Sequence, residues 1–572
     1  MKRSRRQPEE RGGGLENEVG YVRKVHAGRL RVALAFPNTY YVGMSNLGLQ
    51  SVYRLFNGLD AVVCERTFLP PRRERQQRPS LLRTLESNSP VGDFDVLAFS
   101  VSFEWDYTNI VTMLRLAGIP VYAAERTPRH PLVVMGGAVT FLNPEPLAPF
   151  ADVIAAGEGE VLVPSLVDVL LASAERSDRL DALARRVGFY VPSRYAVSYG
   201  SDGTIEQVTP TDSDLPPAVG KASVKSTDRL EPPATSIFTP HTEFGSRLLI
   251  EVVRGCANLC RFCWAGYNYL PVRAFPADRI LEIASAARPY ANRVGLVSIA
   301  LCDHPDIGAI MQGLLAMGYS ISPASLRLDD LTSEIVGLLH ASGERTVTIA
   351  PETGSDRLRR VINKTITNAT ILDRAELIFS HGIENLKLYY MIGLPTETDE
   401  DLEAIRDLTV QLRDLMVTHA RARGRIGRIV GSVNPLVPKP MTAYQWLPIE
   451  TPAVIERKVR RLRALLTGID NAYVSIKSVR HSFYQALLSL GDRRVAPAIV
   501  EAERHGGDWR GAVEATGLDS DFYLFRDRSD DPILPWDIID GGARSSFFRD
   551  EFHKGLREEW TLSERAELRA RS

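Results

Sequence analysis

Arg254-Gly255-Cys256-Ala257-Asn258-Leu259-Cys260-Arg261-Phe262-Cys263-Trp264 is the stretch on which the reading of this chain turns. Its cysteines are spaced C-x3-C-x2-C. They follow directly on an apolar run, Leu248 to Val253, that reads as a buried strand. Thiolates are soft ligands that suit iron–sulfur clusters and zinc. A structural zinc site wants a fourth Cys or His close by, and the next histidine is His304, in a different strand-end loop. Three ligands on one short loop therefore suit a cubane cluster with one iron left open to a substrate or cofactor. Zinc and three structural thiols are the bland alternatives. The chain has five cysteines in all, too few and of the wrong parity for a disulfide framework.

Outward from this loop the pattern alternates strand and helix. Further strands are expected at Gly295–Ala300, Ile321–Arg327, Thr346–Ala350, Leu386–Ile392 and Ile429–Asn434, separated by helical patterns such as Ile280–Ala287, Thr332–His340 and Glu400–Leu415. Six strands, each followed by a helix or long loop, predict a partial (β/α)6 TIM-type barrel, with its chemistry on the loops after the strands. Upstream, the apolar runs Leu30–Phe36, Phe94–Phe103, Val121-Tyr122, Leu132–Met135 and Asp152–Ala155 alternate with helices at Leu47–Phe56 and Asn109–Leu116. They predict an α/β domain with a doubly wound parallel sheet of Rossmann type. Its ligand edge would carry Pro37–Ser45, Ser102–Trp105, Gly136–Thr140 and Gly157–Glu160. Cys64 falls on a predicted strand and reads as core.

C-x3-C-x-aromatic-C after the first strand of a partial barrel resembles the radical S-adenosylmethionine (SAM) enzymes. The resemblance implies that Cys256, Cys260 and Cys263 hold a [4Fe–4S] cluster whose open iron chelates SAM. Reductive cleavage would then give a 5′-deoxyadenosyl radical, with an external donor such as flavodoxin or ferredoxin supplying the electron. Phe262 maps onto the aromatic that packs near the adenine. Ser298 and Asp303, ending the second strand, and Ser325 and Arg327, ending the third, map onto SAM contacts. Glu352, in Thr348–Ser355, maps onto a contact to the ribose or amino acid moiety; a helix N-terminal carboxylate is the alternative. Gly393-Leu394-Pro395 resembles the adenine-side loop, where Gly393 permits close backbone approach. Val433–Trp446 resembles the Val-Pro-Lys-x-x-Thr-x-x-Gln stretch of several subfamilies, in which Lys439 either faces substrate or lies on the rim.

A doubly wound domain ahead of such a barrel is similar to the cobalamin (B12)-binding class of the family, and the match is nearest to an uncharacterised bacterial subfamily. It rests on Gly136-Gly137, Asn143-Pro144-Glu145, Gly157-Glu158-Gly159-Glu160 and, near the end, Leu534-Pro535-Trp536-Asp537. It implies cobalamin contacts from Asn38, Ser45, Ser102, Gly136, Gly137, Gly157 and Glu158. The D-x-H-x-x-G lower-ligand motif is missing, and His130 lies in a loop before a strand. Pro70-Pro71-Arg72-Arg73-Glu74-Arg75 departs from the Pro-Trp-Asp-Met type of the subfamily. Cys302 sits where the subfamily tends to have serine, as a hydrogen-atom donor, a thiol near the site or a buried small side chain.

The length suggests about two to four domains: a flexible tail (1–20), a cobalamin-binding-like α/β domain (21–192), a connector (193–243), the barrel (244–477) and a mostly helical C-terminal extension (478–572). Lys plus Arg is 69 and Asp plus Glu 70, a net charge of −1. This argues against a histone-like basic binder and weighs modestly against a nucleic-acid substrate. No apolar run approaches the ~18 residues of a membrane helix. The basic Met1–Arg6 is not followed by an apolar core, so a cytoplasmic enzyme is expected. The function expected is cobalamin-assisted modification, for example methylation, of an unreactive carbon. Two other classes stay open. One is a tRNA-modifying enzyme of methylthiotransferase type, favoured by the Val-Pro-Lys stretch and by Arg421, Arg423, Arg425 and Arg428 but lacking cysteines for a second cluster. The other is a non-catalytic cluster-binding protein.

Overall fold

A computed structural model describes residues 14–72, 75, 81–323 and 326–561. The first sheet contains β1 (Leu30–Phe36), followed by helix α1 (Leu47–Asn57), then β2 (Val62–Phe68), β3 (Val96–Ser100), helix α2 (Tyr107–Leu116), β4 (Leu132–Gly136), β5 (Val153–Ala155), helix α3 (Gly159–Ala172) and β6 (Phe189–Tyr190). Strand order is β2-β1-β3-β4-β5-β6, with only β6 antiparallel. The strands are buried on both faces, which is why they read as continuous apolar runs. Leu34, Ala98 and Val134 face α1 and α3. Leu97, Phe99 and Met135 face α2 and the C-terminal extension. The winding reverses between β1 and β3, so a crevice opens beyond their carboxyl ends.

Two upstream expectations change. Val121-Tyr122 is not a strand. The buried Arg126 guanidinium donates to the carbonyls of Pro120 (3.0 Å), Val121 (2.9 Å) and Phe150 (2.6 Å), so this segment's carbonyls are satisfied by a side chain instead of a ladder. Strand β2 is wholly buried although it contains Glu65 and Arg66. Arg66 pairs with Glu18 (2.6 Å) and Glu86 (2.7 Å), all at 1 % side-chain exposure or less. Glu18 belongs to the stretch expected as a flexible tail, so the described part of that stretch is anchored here. Residues 1–13 lie outside the described residues, as do Arg73 and Glu74.

The connector carries a hairpin, β7 (Tyr195–Tyr199) and β8 (Ile205–Pro210), and β9 (Val219–Gly220). Next come β10 (Leu248–Arg254), a short helix α4 (Trp264–Asn268), β11 (Arg273–Ala274), β12 (Arg293–Ser298) and β13 (Ser320–Pro323). They are followed by β14 (Thr346–Glu352), helix α5 (Asp356–Val361), β15 (Asn385–Ile392), β16 (Ile429–Pro435) and β17 (Ala472–Ile476). β10, β12 and β13 are parallel, with β11 hooked antiparallel on β10. β14 to β17 form a second parallel set. The two sets share one hydrophobic core, from Ala234 to Leu462, so they form one incomplete barrel. The expected third strand stops at Pro323, short of Arg327, and Ser325 lies outside the described residues. β17 is a seventh parallel strand beyond the six expected. Its alternating pattern with an exposed Tyr473 conceals it from a search for buried runs.

The extension consists mainly of helices α6 (Val479–Leu490), α7 (Ala496–Arg504), α8 (Trp509–Thr516) and α9 (Ser545–Leu556), with β18 (Ile539–Asp540) pairing parallel to β9 between α8 and α9. It folds back on the first sheet. Asn143 donates to the carbonyls of Ser489 (2.9 Å) and Gly491 (2.7 Å), and Glu145 pairs with Arg493 (2.7 Å). Asn143-Pro144-Glu145 is therefore a clasp for the extension. Among the described residues no helix is long and apolar enough to cross a membrane.

Candidate functional site

The cysteine loop is shaped by backbone as much as by thiols. Gly255 has φ +96°, and a Cβ there would lie 2.4 Å from the Tyr269 carbonyl oxygen, so only glycine fits. Leu259 also takes a left-handed φ of 49°. The Cys263 amide donates to the Cys260 carbonyl (2.9 Å), and Cys263 caps α4. Cys256 and Cys260 are buried, and Cys263 is half-buried. Burial pushes the Cys260 thiol up to about 12, against the pull of the Lys364 ammonium. Burial also raises Cys263, opposed by the amides of Gly266 and Ala265. Without metal these thiols stay protonated, and binding a metal must release their protons. Among the described residues no three His, Cys, Asp or Glu side chains close on one point as ligands of a single ion do.

Lys364 is a residue the sequence reading missed. It pairs with Glu352 at 3.3 Å. Burial pulls its ammonium down, but Glu352 and the Cys260 thiol hold it up. Glu352 stands at the end of β14 with φ 66°. Burial raises its carboxyl, opposed by Lys364. Glu352 thus reaches the cysteine loop through Lys364.

The other strand-end residues gather on the same mouth, several already committed to one another. Asp303 pairs with Arg327 at 3.0 Å, and Arg327 also contacts Asp329 and Asp330. Cys302, half-buried beside them, has its thiol raised to about 12 by burial, with Asp330 adding to the shift. The Ser298 hydroxyl accepts from the Ala300 amide (3.0 Å). Gly393 takes φ +79° and its amide donates to Glu397 (2.8 Å), while Leu394 is buried behind the turn that leads through Pro395. Phe262 packs partly buried against the core. Lys439 pairs with Glu104 of the first domain, bridging the two halves and not lying on a free rim. Gln445 accepts from Trp536 Nε1 (2.7 Å), so Leu534-Pro535-Trp536-Asp537 docks on the stretch after β16.

Beyond β1, β3, β4 and β5 a cavity of about 320 Å³ lies between the sheet and helices α1 and α3. Its walls are apolar: Leu34, Val52, Phe56, Ala98, Val134, Leu162, Leu166 and Phe189 among them. Its mouth carries Asn46, Ser102, Gly136, Gly137 and Gly157. Gly137 (φ +116°) and Gly157 (φ +138°) are forced. A Cβ would lie 2.3 Å from the Val101 oxygen or 2.1 Å from the Ala222 oxygen. A second cavity of about 390 Å³ shares Gly48, Val52, Gly157, Gly159 and Tyr269 with the first and extends to Gly255 and Ser298 at the barrel mouth. Tyr269 and Trp264, just past the cysteines, pack edgewise on Phe141 of the first domain (5.9 and 6.4 Å between ring centres).

Of the residues expected at the first-sheet edge, Ser102, Gly136, Gly137 and Gly157 line the first cavity. Three others are spent on structure. Asn38 donates to Asp106 (2.9 Å), and Ser45 donates to the Tyr41 carbonyl (2.7 Å) and accepts from the Glu243 amide (2.8 Å). Glu158 is held by Arg273 (2.7 and 2.9 Å), Arg254 (3.2 Å) and the Val224 amide (2.8 Å). That buried network pins the first domain to the barrel. Asp106, beneath Asn38, has its carboxyl raised to about 6 by burial, against hydrogen bonds from Asn38 and Asn109.

The profile of "Radical SAM proteins, N-terminal" matches residues 48–192, and that of the "Radical SAM superfamily" matches residues 250–409. An uncharacterized protein, MJ0966, of Methanocaldococcus jannaschii is 28% identical over 422 residues, 72% of this chain and 81% of that one. A tRNA-2-methylthio-N(6)-dimethylallyladenosine synthase of Aeromonas salmonicida is 23% identical over 200 residues, 31% of this chain and 40% of that one. The fold is that of TsrM from Kitasatospora setae, a radical S-adenosylmethionine methyltransferase solved with cobalamin and a [4Fe-4S] cluster. The superposition has a TM-score of 0.53 at 14% identity, over 86% of this chain and 99% of that one.

Proposed function

The chain belongs to the radical SAM superfamily, and from that premise we propose a cobalamin-assisted enzyme that modifies an unreactive carbon of its substrate, by methylation in the first instance. Cys256, Cys260 and Cys263 would hold a [4Fe–4S] cluster. Ser298, Asp303, Arg327, Glu352 and the Gly393-Leu394-Pro395 turn ring the place for SAM. The groups fit the residues present. Three thiols stand together on a loop that only glycine lets turn, and a lysine faces them. When bound, the cluster supplies an electron to SAM and the cobalamin a transferable methyl group.

The observation that carries the cobalamin reading is the pair of joined cavities. The first is apolar and glycine-mouthed at the sheet's switch point, and the second runs from it to the barrel mouth. A large cofactor with one end buried against the sheet would present its other end toward the cysteine loop. The shared fold with TsrM, a methyltransferase solved with cobalamin and a [4Fe-4S] cluster bound, supports the same reading. The chain's own part is to bind, orient and screen from water: Phe141, Trp264 and Tyr269 close the space between the two cavities and the cysteine loop. The electron donor is expected to be a flavodoxin or ferredoxin of the cytoplasm.

The test is an absorbance spectrum of anaerobically reconstituted protein, followed by SAM turnover under a reductant. Iron–sulfur absorption, a bound corrinoid after gel filtration, and cleaved SAM are expected. Cys256→Ala should abolish cluster absorption and SAM cleavage; persistence of both would sink the ligand assignment. A folded chain that takes up the cluster but no corrinoid would refute the cobalamin part alone.

A further inference from the structure

The C-terminal helix reaches the cysteine loop. Arg261, between the second and third cysteines, is wholly buried and every arm of its guanidinium is used. Nε donates to Glu551 of α9 (3.2 Å). Nη1 donates to the carbonyls of Arg360 (2.7 Å) and Val361 (2.9 Å), at the end of α5 and just before it. Nη2 donates to the Glu559 carbonyl (2.9 Å) and the Thr561 hydroxyl (3.1 Å). Its own amide donates to the Ile362 carbonyl (3.0 Å). Glu551 is equally buried and also binds Lys554 (2.9 Å) and Thr561. Asn363, at φ 53°, donates to the carbonyls of Asn258 (3.4 Å) and Leu259 (3.2 Å) in the cysteine loop and accepts from the Thr561 amide (3.2 Å). Gly555 of α9 lies so close that a Cβ there would meet the Val361 oxygen, Arg261 Cδ and Tyr444 Oη at 3.0 to 3.1 Å.

Three segments thus close on one side chain: the cysteine loop, the C-terminal end of α5 and the last described helix. Planar, fully donated arginine with a buried carboxylate is the arrangement that fixes geometry, because five donors in a rigid fork leave the loop no second position. We propose that Arg261 and Glu551 form a latch through which the C-terminal extension holds the cysteine loop in its ligating shape, making both positioning residues for the cluster. The extension is then part of the cluster site and not an appendage to it. The latch contacts run to the backbone and side chains of the cysteine loop and its neighbours, so its effect is read first in iron retention.

This inference rests on the cluster reading, and the test separates the two. Wild type, Glu551→Gln and the double variant R261M/E551L are reconstituted anaerobically. Iron and sulfide per chain are measured, then the rate of iron loss to a strong chelator, with the melting of each metal-free protein as control. The double variant replaces the pair by apolar side chains of similar volume, which folded proteins tolerate. Iron loss roughly 10–100-fold faster than wild type is expected where the metal-free melt is unchanged, as for outer-shell residues of metal sites. Should both melt early, Thr561→Val, at the partly exposed edge of the network, carries the test with the same expected direction. Release at the wild-type rate in a folded variant overturns the latch. A wild-type chain that takes up no iron refutes the cluster reading itself.

Discussion

Ala98→Leu should make the cofactor-free protein more stable and, at the same time, unable to bind cobalamin. Ala98 is in the middle of β3, between Leu34 and Val134 on the neighbouring strands, and looks into the 320 Å³ cavity. Adding three carbons there recovers about 2 kcal/mol at ~0.8 kcal/mol per methylene. Were the space already filled by collapsed side chains, the same substitution would overpack the sheet and cost about 1–3 kcal/mol. The two cases differ in sign. Thermal or urea melting of the metal-free, corrinoid-free chain reads the first effect. Melting with added cobalamin reads the second: a ligand at 100 times its Kd stabilises by about 2.7 kcal/mol, so wild type should rise and the variant should not. A variant that is less stable, or that still gains from cobalamin, refutes the assignment of this cavity.

Asp106→Asn should flatten a pH dependence. With its carboxyl at about 6 in the fold against 3.8 when exposed, the folded chain keeps a proton that the unfolded chain has lost, so stability falls as pH rises through that window. The gap corresponds to about 3 kcal/mol. The variant should match wild type below pH ~4 and exceed it above pH ~7 in urea midpoints; an unchanged slope would count against the buried position of this carboxyl. Arg273→Met leaves Glu158 buried with half its partners and should cost about 3–5 kcal/mol, whereas the joint change R273M/E158L should cost much less; equal losses would show that the pair is not coupled. Lys364→Met strands Glu352 beside the thiols, and lower iron content after reconstitution with the metal-free melt retained is expected; full iron content would deny Lys364 a role at the loop.

Much of the fold was legible because its signals are local. A strand buried on both faces must be apolar along its length, so β1, β3, β4, β10, β15 and β16 were found close to their ends. Elements that break that rule are harder to find. β17 hides behind its exposed alternation; β2, on which Cys64 was placed, is a buried strand in spite of Glu65 and Arg66, with Arg66 neutralised by Glu18 and Glu86. Val121-Tyr122 carries strand-like residues, but Arg126 takes its carbonyls. At the site, Gly137, Gly157 and Gly255 stand where a positive φ and a close carbonyl leave no other residue a place. Glu158 is locked to Arg273 and Lys439 to Glu104, pairings no spacing rule announces.

The sequence by itself determined the chemistry of the cysteine loop. Three thiols within eight residues, after a strand and with a glycine at the turn, are a local pattern that needs no distant partner. The tertiary structure alone decided what holds that loop and what faces it. Arg261 meets Glu551 across 290 residues, Lys439 meets Glu104 across 335, and the cavities arise where small residues on separate strands come side by side. Burial is the physical reason. A charge inside the protein must find a partner wherever the fold supplies one, and that place is set by packing, not by position along the chain.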